Sequence, residues 1–118
     1  MTATAVYARS TWNLGEPKLI PLGAELLIKK LPAWSESKGS IDFDYWYWGT
    51  RAMLRLGGEQ WKKWTRALDE ALLSHQVQKG CAAGSWDPKD PWGDEGGRVY
   101  STAMMVMALE SARSNPGK

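Results

Sequence analysis

The sequence predicts an all-α fold of about five helices, paired as αα-hairpin repeats in a single domain over residues 1–113, with 114–118 as a frayed tail. Three observations carry this. Apolar residues recur at steps of three and four, most regularly at Trp61, Trp64, Leu68 and Leu72. Clusters of Gly and Pro punctuate the chain between such segments. Similar segments also return at a spacing of about 50 residues, within the range of helical-hairpin repeats.

The first helix is expected over about 1–12, "MTATAVYARSTW", rich in Ala, without a breaker, and with Ala5, Arg9 and Trp12 on one side. Gly15, Pro17, Pro21 and Gly23 then punctuate the chain, and "AELLIKKL" resumes a helical pattern until Pro32, giving a second helix over about 22–31. A polar connection, "PAWSESKGSID", offers Ser40 or Asp42 as a cap for a third helix over about 43–56. Gly57 and Gly58 stand where a left-handed cap is expected. The fourth helix is expected over about 60–77 and the fifth over about 98–113, separated by a loop crowded with Gly, Trp, Pro and carboxylates.

Thr2, Thr50 and Thr102 mark the repeat, standing 48 and 52 residues apart. "TATAVYAR" and "TAMMVMAL" agree at four of eight positions. Each unit reads as an inner helix beginning near Thr-Ala, a turn, and an outer amphipathic helix.

Composition narrows the function classes. With 118 residues and 43% hydrophobic content the chain suits one compact core. Fifteen basic against 13 acidic residues leave a scattered net +2, which argues against nucleic acid as a partner, since that footprint needs clustered Lys and Arg on one face. Cys81 stands alone, so no internal disulfide framework is possible. No apolar run approaches the roughly 20 residues of a membrane span, and the N-terminus lacks the layout of a signal peptide, so a soluble chain of unassigned compartment is expected. Eight tryptophans, Trp12, Trp34, Trp46, Trp48, Trp61, Trp64, Trp86 and Trp92, imply wide contacts between elements or a binding surface.

"HQVQKGCAAGSWDP", with Gln76 followed by Gly80, Gly84 and Trp86, resembles the Gln-Trp repeat of squalene-hopene cyclases and their relatives. "YWYWGTRAMLRLGGEQWKKW" and "GSWDPKDPWGDEGGRVYSTAMMVMALE" are similar to the terminal repeats of prenyltransferase and squalene-oxidase repeat proteins of planctomycete type, a likeness covering about residues 1–113. The resemblance implies an arc of an α/α toroid. It implies too that Gln76 ties an outer helix to the next inner one while Trp86 stacks on the junction. The seven residues between Gln76 and Gly84 are longer than the family's motif, which puts that tie in question. The loop residues Gly80, Gly84, Gly96 and Gly97 are expected to supply tight or positive-φ backbone, Pro88 and Pro91 to stiffen the path, and Trp86 and Trp92 to cover the hairpin edges.

The resemblance also invites enzyme chemistry. A cyclase needs an Asp-rich acid that protonates an alkene, with aromatic faces to stabilise the cation. "IDFDYWYW" supplies Asp42 and Asp44 as candidate acids, but the third aspartate is missing and an acid at a helix start reads first as a cap. Tyr45, Trp46, Tyr47, Trp48 and Tyr100 are the candidate lining of an apolar ligand cavity, against the plainer reading of core packing. Asp87, Cys81 and His75 do not match the prenyltransferase zinc motif, and Asp87, Asp90, Asp94 and Glu95 lack the spacing of a calcium loop. No metal and no cofactor is expected.

Five helices make less than half of the ring of about twelve that the resemblance implies, so apolar hairpin faces are expected to stand uncovered at both ends. The leading expectation is a non-catalytic interaction or scaffold module with a protein partner or self-association, Trp46 and Trp48 being the candidate contact surface. The alternative is a terpenoid-cyclase-like or lipid-binding protein.

Overall fold

The computed structural model describes residues 2–114. It is built from five helices: α1 (Thr2–Trp12), α2 (Leu19–Lys29), α3 (Phe43–Leu56), α4 (Gly58–Leu73) and α5 (Gly93–Ala112), with no strand among the described residues. The chain is all-α, and among the described residues no helix is long and apolar enough to cross a membrane. Met1 and the tail beyond Ser114 lie outside the described residues.

The helices pack in two rows. α3 lies between α1 and α5, α2 covers α1, and α4 covers α3, with α2 also touching α4. Two clusters of buried side chains follow from this arrangement. One joins Ala3 and Val6 of α1, Ala24 and Leu27 of α2, Ala52 and Met53 of α3, and Trp61 and Trp64 of α4. The other joins Ile41, Phe43, Trp46, Leu68, Leu72, Trp86 and Met105. Trp46, Trp64 and Trp86 are the largest fully buried side chains. At roughly 150–250 Å² each and about 25 cal/mol/Å², each contributes an upper bound of roughly 4–6 kcal/mol to burial.

The helix boundaries differ from expectation for identifiable reasons. α2 begins three residues early and includes Pro21 and Gly23. Pro21 falls in the first turn, where a backbone N–H has no intrahelical acceptor, so the ring costs nothing there. Gly23 is a packing residue rather than a breaker, because a Cβ on it would lie 2.3 Å from Val6 Cγ2. α1 buries Ala3 and Val6, not the side carrying Trp12, whose indole is exposed. α4 stops at Leu73, short of the expected residue 77, because the chain after it pairs with the returning loop. α5 begins at Gly93 with one turn before a break at Gly97. Gly57 (φ 68°, ψ −158°) and Gly97 (φ 65°, ψ −166°) adopt nearly the same conformation, and each leads directly into a long helix. It is open in practice to glycine alone, and its ψ is not that of the left-handed cap expected at Gly57.

Candidate functional site

Of the residues singled out by the sequence, Gln76, Gly84 and Trp86 meet at the junction between α4, the loop after it, and α5. The Trp86 indole Nε1 donates to the Leu72 carbonyl at 2.8 Å, adding to the bond that this carbonyl accepts from the His75 N–H at 3.2 Å at the end of α4. The Trp86 backbone is held from the other side, where its carbonyl accepts from Ser101 Oγ at 2.6 Å and its N–H donates to Thr102 Oγ1 at 3.3 Å. Gln76 Nε2 donates to the Gly84 carbonyl at 2.8 Å, so its side chain reaches the loop and not the start of α5. Two backbone bonds, Val77 N–H to Ser85 O at 2.8 Å and Gly84 N–H to Val77 O at 2.7 Å, close the same neck. The loop is thus pinned at both ends.

The glycines divide by role. Gly80, Gly84 and Gly97 take positive φ, whereas Gly96 does not; it is small because a Cβ there would lie 2.6 Å from Tyr100. Trp92 covers no hairpin edge and stands 54% exposed.

The loop carboxylates diverge. Asp87 pairs with Arg98, while Asp94 and Glu95 are exposed in the first turn of α5. Asp90 is buried at 7% exposure. Tyr100 Oη donates to its Oδ2 at 3.0 Å, and Oδ1 is left without a hydrogen bond of good geometry, although the Phe43 and Trp92 amides lie near the carboxyl group. Burial pushes the Asp90 carboxyl above the usual carboxylate range, opposed by the bond from Tyr100. Tyr100 is raised in turn, by its own burial and then by the bond to Asp90. Among the described residues no three His, Cys, Asp or Glu side chains gather as metal ligands. His75 stacks on Trp34 with ring centroids 4.6 Å apart, and Cys81 is exposed.

The five aromatic candidates do not share a cavity. Successive residues of a helix turn by about 100°, so Tyr45, Trp46, Tyr47 and Trp48 point four different ways. Trp46 is fully buried against Phe43 and Trp34, which removes it as a contact surface. Tyr45 bridges to the end of α2, its hydroxyl donating to Lys30 O at 2.8 Å, and burial with the nearby Asp42 charge pushes it up to about 12. Trp48 lies between Tyr7 and Tyr47. Tyr45 borders a depression with Leu26, Leu27, Lys30 and Asp44, while Tyr100 borders a different one with Trp92 and Glu95. Of the two candidate acids, Asp42 caps α3 by accepting from the Tyr45 N–H at 2.9 Å. Asp44 is exposed to solvent and borders both of these open depressions.

The sequence led us to expect uncovered apolar faces at both ends, but it did not name the residues of the two exposed surfaces found here. On α5, Val99, Ala103, Val106 and Met107 are exposed, with Val99 at 84%. Between α1 and α2 runs an apolar groove of about 410 Å³ lined by Ala5, Val6, Leu19, Leu22, Gly23 and Leu26 together with Thr2 and Arg9. The signal was present in α5, which is apolar on every side rather than along one stripe. Compared with models of known protein families, with curated proteins and with solved structures, the chain matches none.

Proposed function

We propose that the chain is a non-catalytic helical-repeat interaction module, an arc of the α/α toroid that its squalene-cyclase-like resemblance implies, and that it self-associates head to tail. The observation that carries this is the bare stripe of α5. Each inner helix before it is covered on its far side: α1 by α3 and α3 by α5. α5 has no such neighbour, and Val99, Ala103 and Val106 stand there at steps of four and three, the spacing of a packing ridge.

The opposite edge of the module supplies a matching receptor. The α1–α2 groove is apolar, and Leu22 and Leu26 on its wall are each 55% exposed. Patches of this kind on both ends of one molecule mark association sites, and two different surfaces meeting give a heterologous contact that closes into a ring or runs on as a filament. Charge agrees with the pairing. Glu110 continues the α5 stripe four residues beyond Val106, and Arg9 is the charged residue lining the groove among the described residues. Further support for the repeat reading comes from the two-row packing and from the Trp86 contacts.

Light scattering across a concentration series tests it. The native chain is expected to rise in mass with concentration and Val106→Asp to remain a monomer. Arg9→Glu and Glu110→Arg should each weaken association, and the double variant should restore it. A native chain that stays monomeric throughout, or a Val106→Asp variant that associates as well as the native one, would sink the proposal.

A further inference from the structure

A second recess, independent of the association surfaces, lies where α1 meets α3 near the end of α5. It measures about 560 Å³ and is lined by Tyr7, Thr11, Arg51, Leu54, Arg55, Arg113 and Ser114. That size falls within the range of small-ligand sites. Three arginines line it, and among the described residues lining it there is no carboxylate.

The arginines are only partly occupied. Arg51 Nη2 donates to Tyr7 Oη at 2.9 Å, and its guanidinium lies 5.3 Å from the Tyr7 ring centre. Arg55 Nη2 donates to the Ser10 carbonyl at 3.3 Å, and Arg113 Nη1 pairs with Asp69 at 3.1 Å. A guanidinium has five N–H donors in a planar fork, so each retains most of its capacity. Arg51 and Arg55 stand at i and i+4 on α3, where like charges repel, and neither has an acidic partner among the described residues. Capping the last turn of α1 accounts for one N–H of Arg55 and the Tyr7 ring and hydroxyl engage one side of Arg51, which leaves neither charge matched by an opposite one among the described residues.

The hydroxyls report the same positive field. The bond from Arg51 holds the Tyr7 hydroxyl below the usual tyrosine range against the opposing effect of burial, with the Arg51 and Arg55 charges adding to it. Thr11 Oγ1 is buried beside Tyr7 without a hydrogen bond of good geometry.

We propose that this recess binds a small phosphate-bearing anion through Arg51 and Arg55, with Arg113 and the hydroxyls of Tyr7, Thr11 and Ser114 at its border. After Asp69 neutralises one arginine, two positive charges remain, which a single carboxylate leaves half compensated and a phosphate monoester or pyrophosphate matches. The paired forks of Arg51 and Arg55 suit the multiple oxygens of a phosphoryl group.

Calorimetric titration of the whole chain with inorganic pyrophosphate, at ionic strength held constant with chloride, is the test. One saturable site per chain is expected. Affinity should fall roughly tenfold or more in Arg55→Gln and remain native in Lys63→Gln, an exposed cation on α4. Arg51→Gln should weaken binding as well, but it also loosens α1, so the Arg55 variant with a native melting curve is decisive. Absence of a saturable site, native affinity in Arg55→Gln, or equal weakening in Lys63→Gln overturns the proposal. Arg55-dependent binding to phosphatidate vesicles without pyrophosphate binding in solution does so too, because the phosphate would then come from a lipid headgroup rather than a free ligand.

Discussion

Thr50 and Trp64 form a buried polar relay at the centre of the fold. Trp64 Nε1 donates to Thr50 Oγ1 at 2.9 Å, and the Thr50 hydroxyl donates onward to the Trp46 carbonyl at 2.7 Å. Both side chains are fully buried, so neither hydrogen bond can be exchanged for one to water. The indole of α4 is thereby fixed against α3 at one rotation.

Thr50→Val keeps the shape of the side chain and strands the indole N–H. A loss of about 1–3 kcal/mol is expected in urea denaturation. Combining it with Trp64→Phe should cost less than the sum of the two single variants, because the second change removes the stranded donor. Strict additivity would mean that the relay carries no coupling.

Gly49 and Gly23 let helices meet at close range. A Cβ on Gly49 would sit 2.3 Å from the Trp64 ring, and one on Gly23 equally close to Val6 Cγ2. Gly23→Ala should destabilise by about 1–3 kcal/mol through overpacking. Val6→Ala in the same chain should recover part of this, since it vacates the space the new methyl needs. A neutral Gly23→Ala, read by thermal melting, would show that α1 and α2 can part without cost.

Trp86 joins three elements through one side chain and its backbone. Trp86→Phe retains the aromatic area but leaves the Leu72 carbonyl without the indole, for an expected loss of about 1–3 kcal/mol. Trp86→Ala should cost about 3–5 kcal/mol. Hydrogen exchange at the end of α4 and the start of the long segment of α5 should speed up together in both variants. Exchange that changes at only one of the two would contradict the clamp.

Asp90 makes stability depend on pH in a direction opposite to that of a salt-bridged carboxylate. Its folded-state value is raised, so the contribution of the neutral form is complete below the unfolded value of about 3.9 and is lost as pH rises through the folded value. Asp90→Asn, neutral throughout, should therefore match or exceed the native chain in urea midpoint near pH 7. Its advantage should shrink toward about pH 4. A variant less stable near pH 7 than near pH 4, relative to native, would show that the ionised carboxylate is well served in the fold.

The helix content and the number of helices were legible in the sequence because apolar residues at steps of three and four survive any arrangement of neighbours. α3 was read to its exact ends, since Asp42 is a local cap and Gly57 a local stop. Where ends were misjudged, a distant residue decided. Gly23 looks like a breaker until Val6 is set against it, and α4 reads four residues too long because Gln76 and Val77 turn to the loop instead. The aromatic run at 45–48 misled for the opposite reason: adjacency in sequence was taken as adjacency in space, which a helix forbids.

By itself, then, the sequence determined the periodicity, the caps and the glycine joints, because each depends on a few neighbouring residues and their backbone preferences. The pairing of rows, the particular residues left bare on α5 and the arginine recess were decided by tertiary structure. Tyr7 lies on α1, Arg51 on α3 and Arg113 just past the end of α5, and only the docking of α1 and α5 on either side of α3 brings them to one recess.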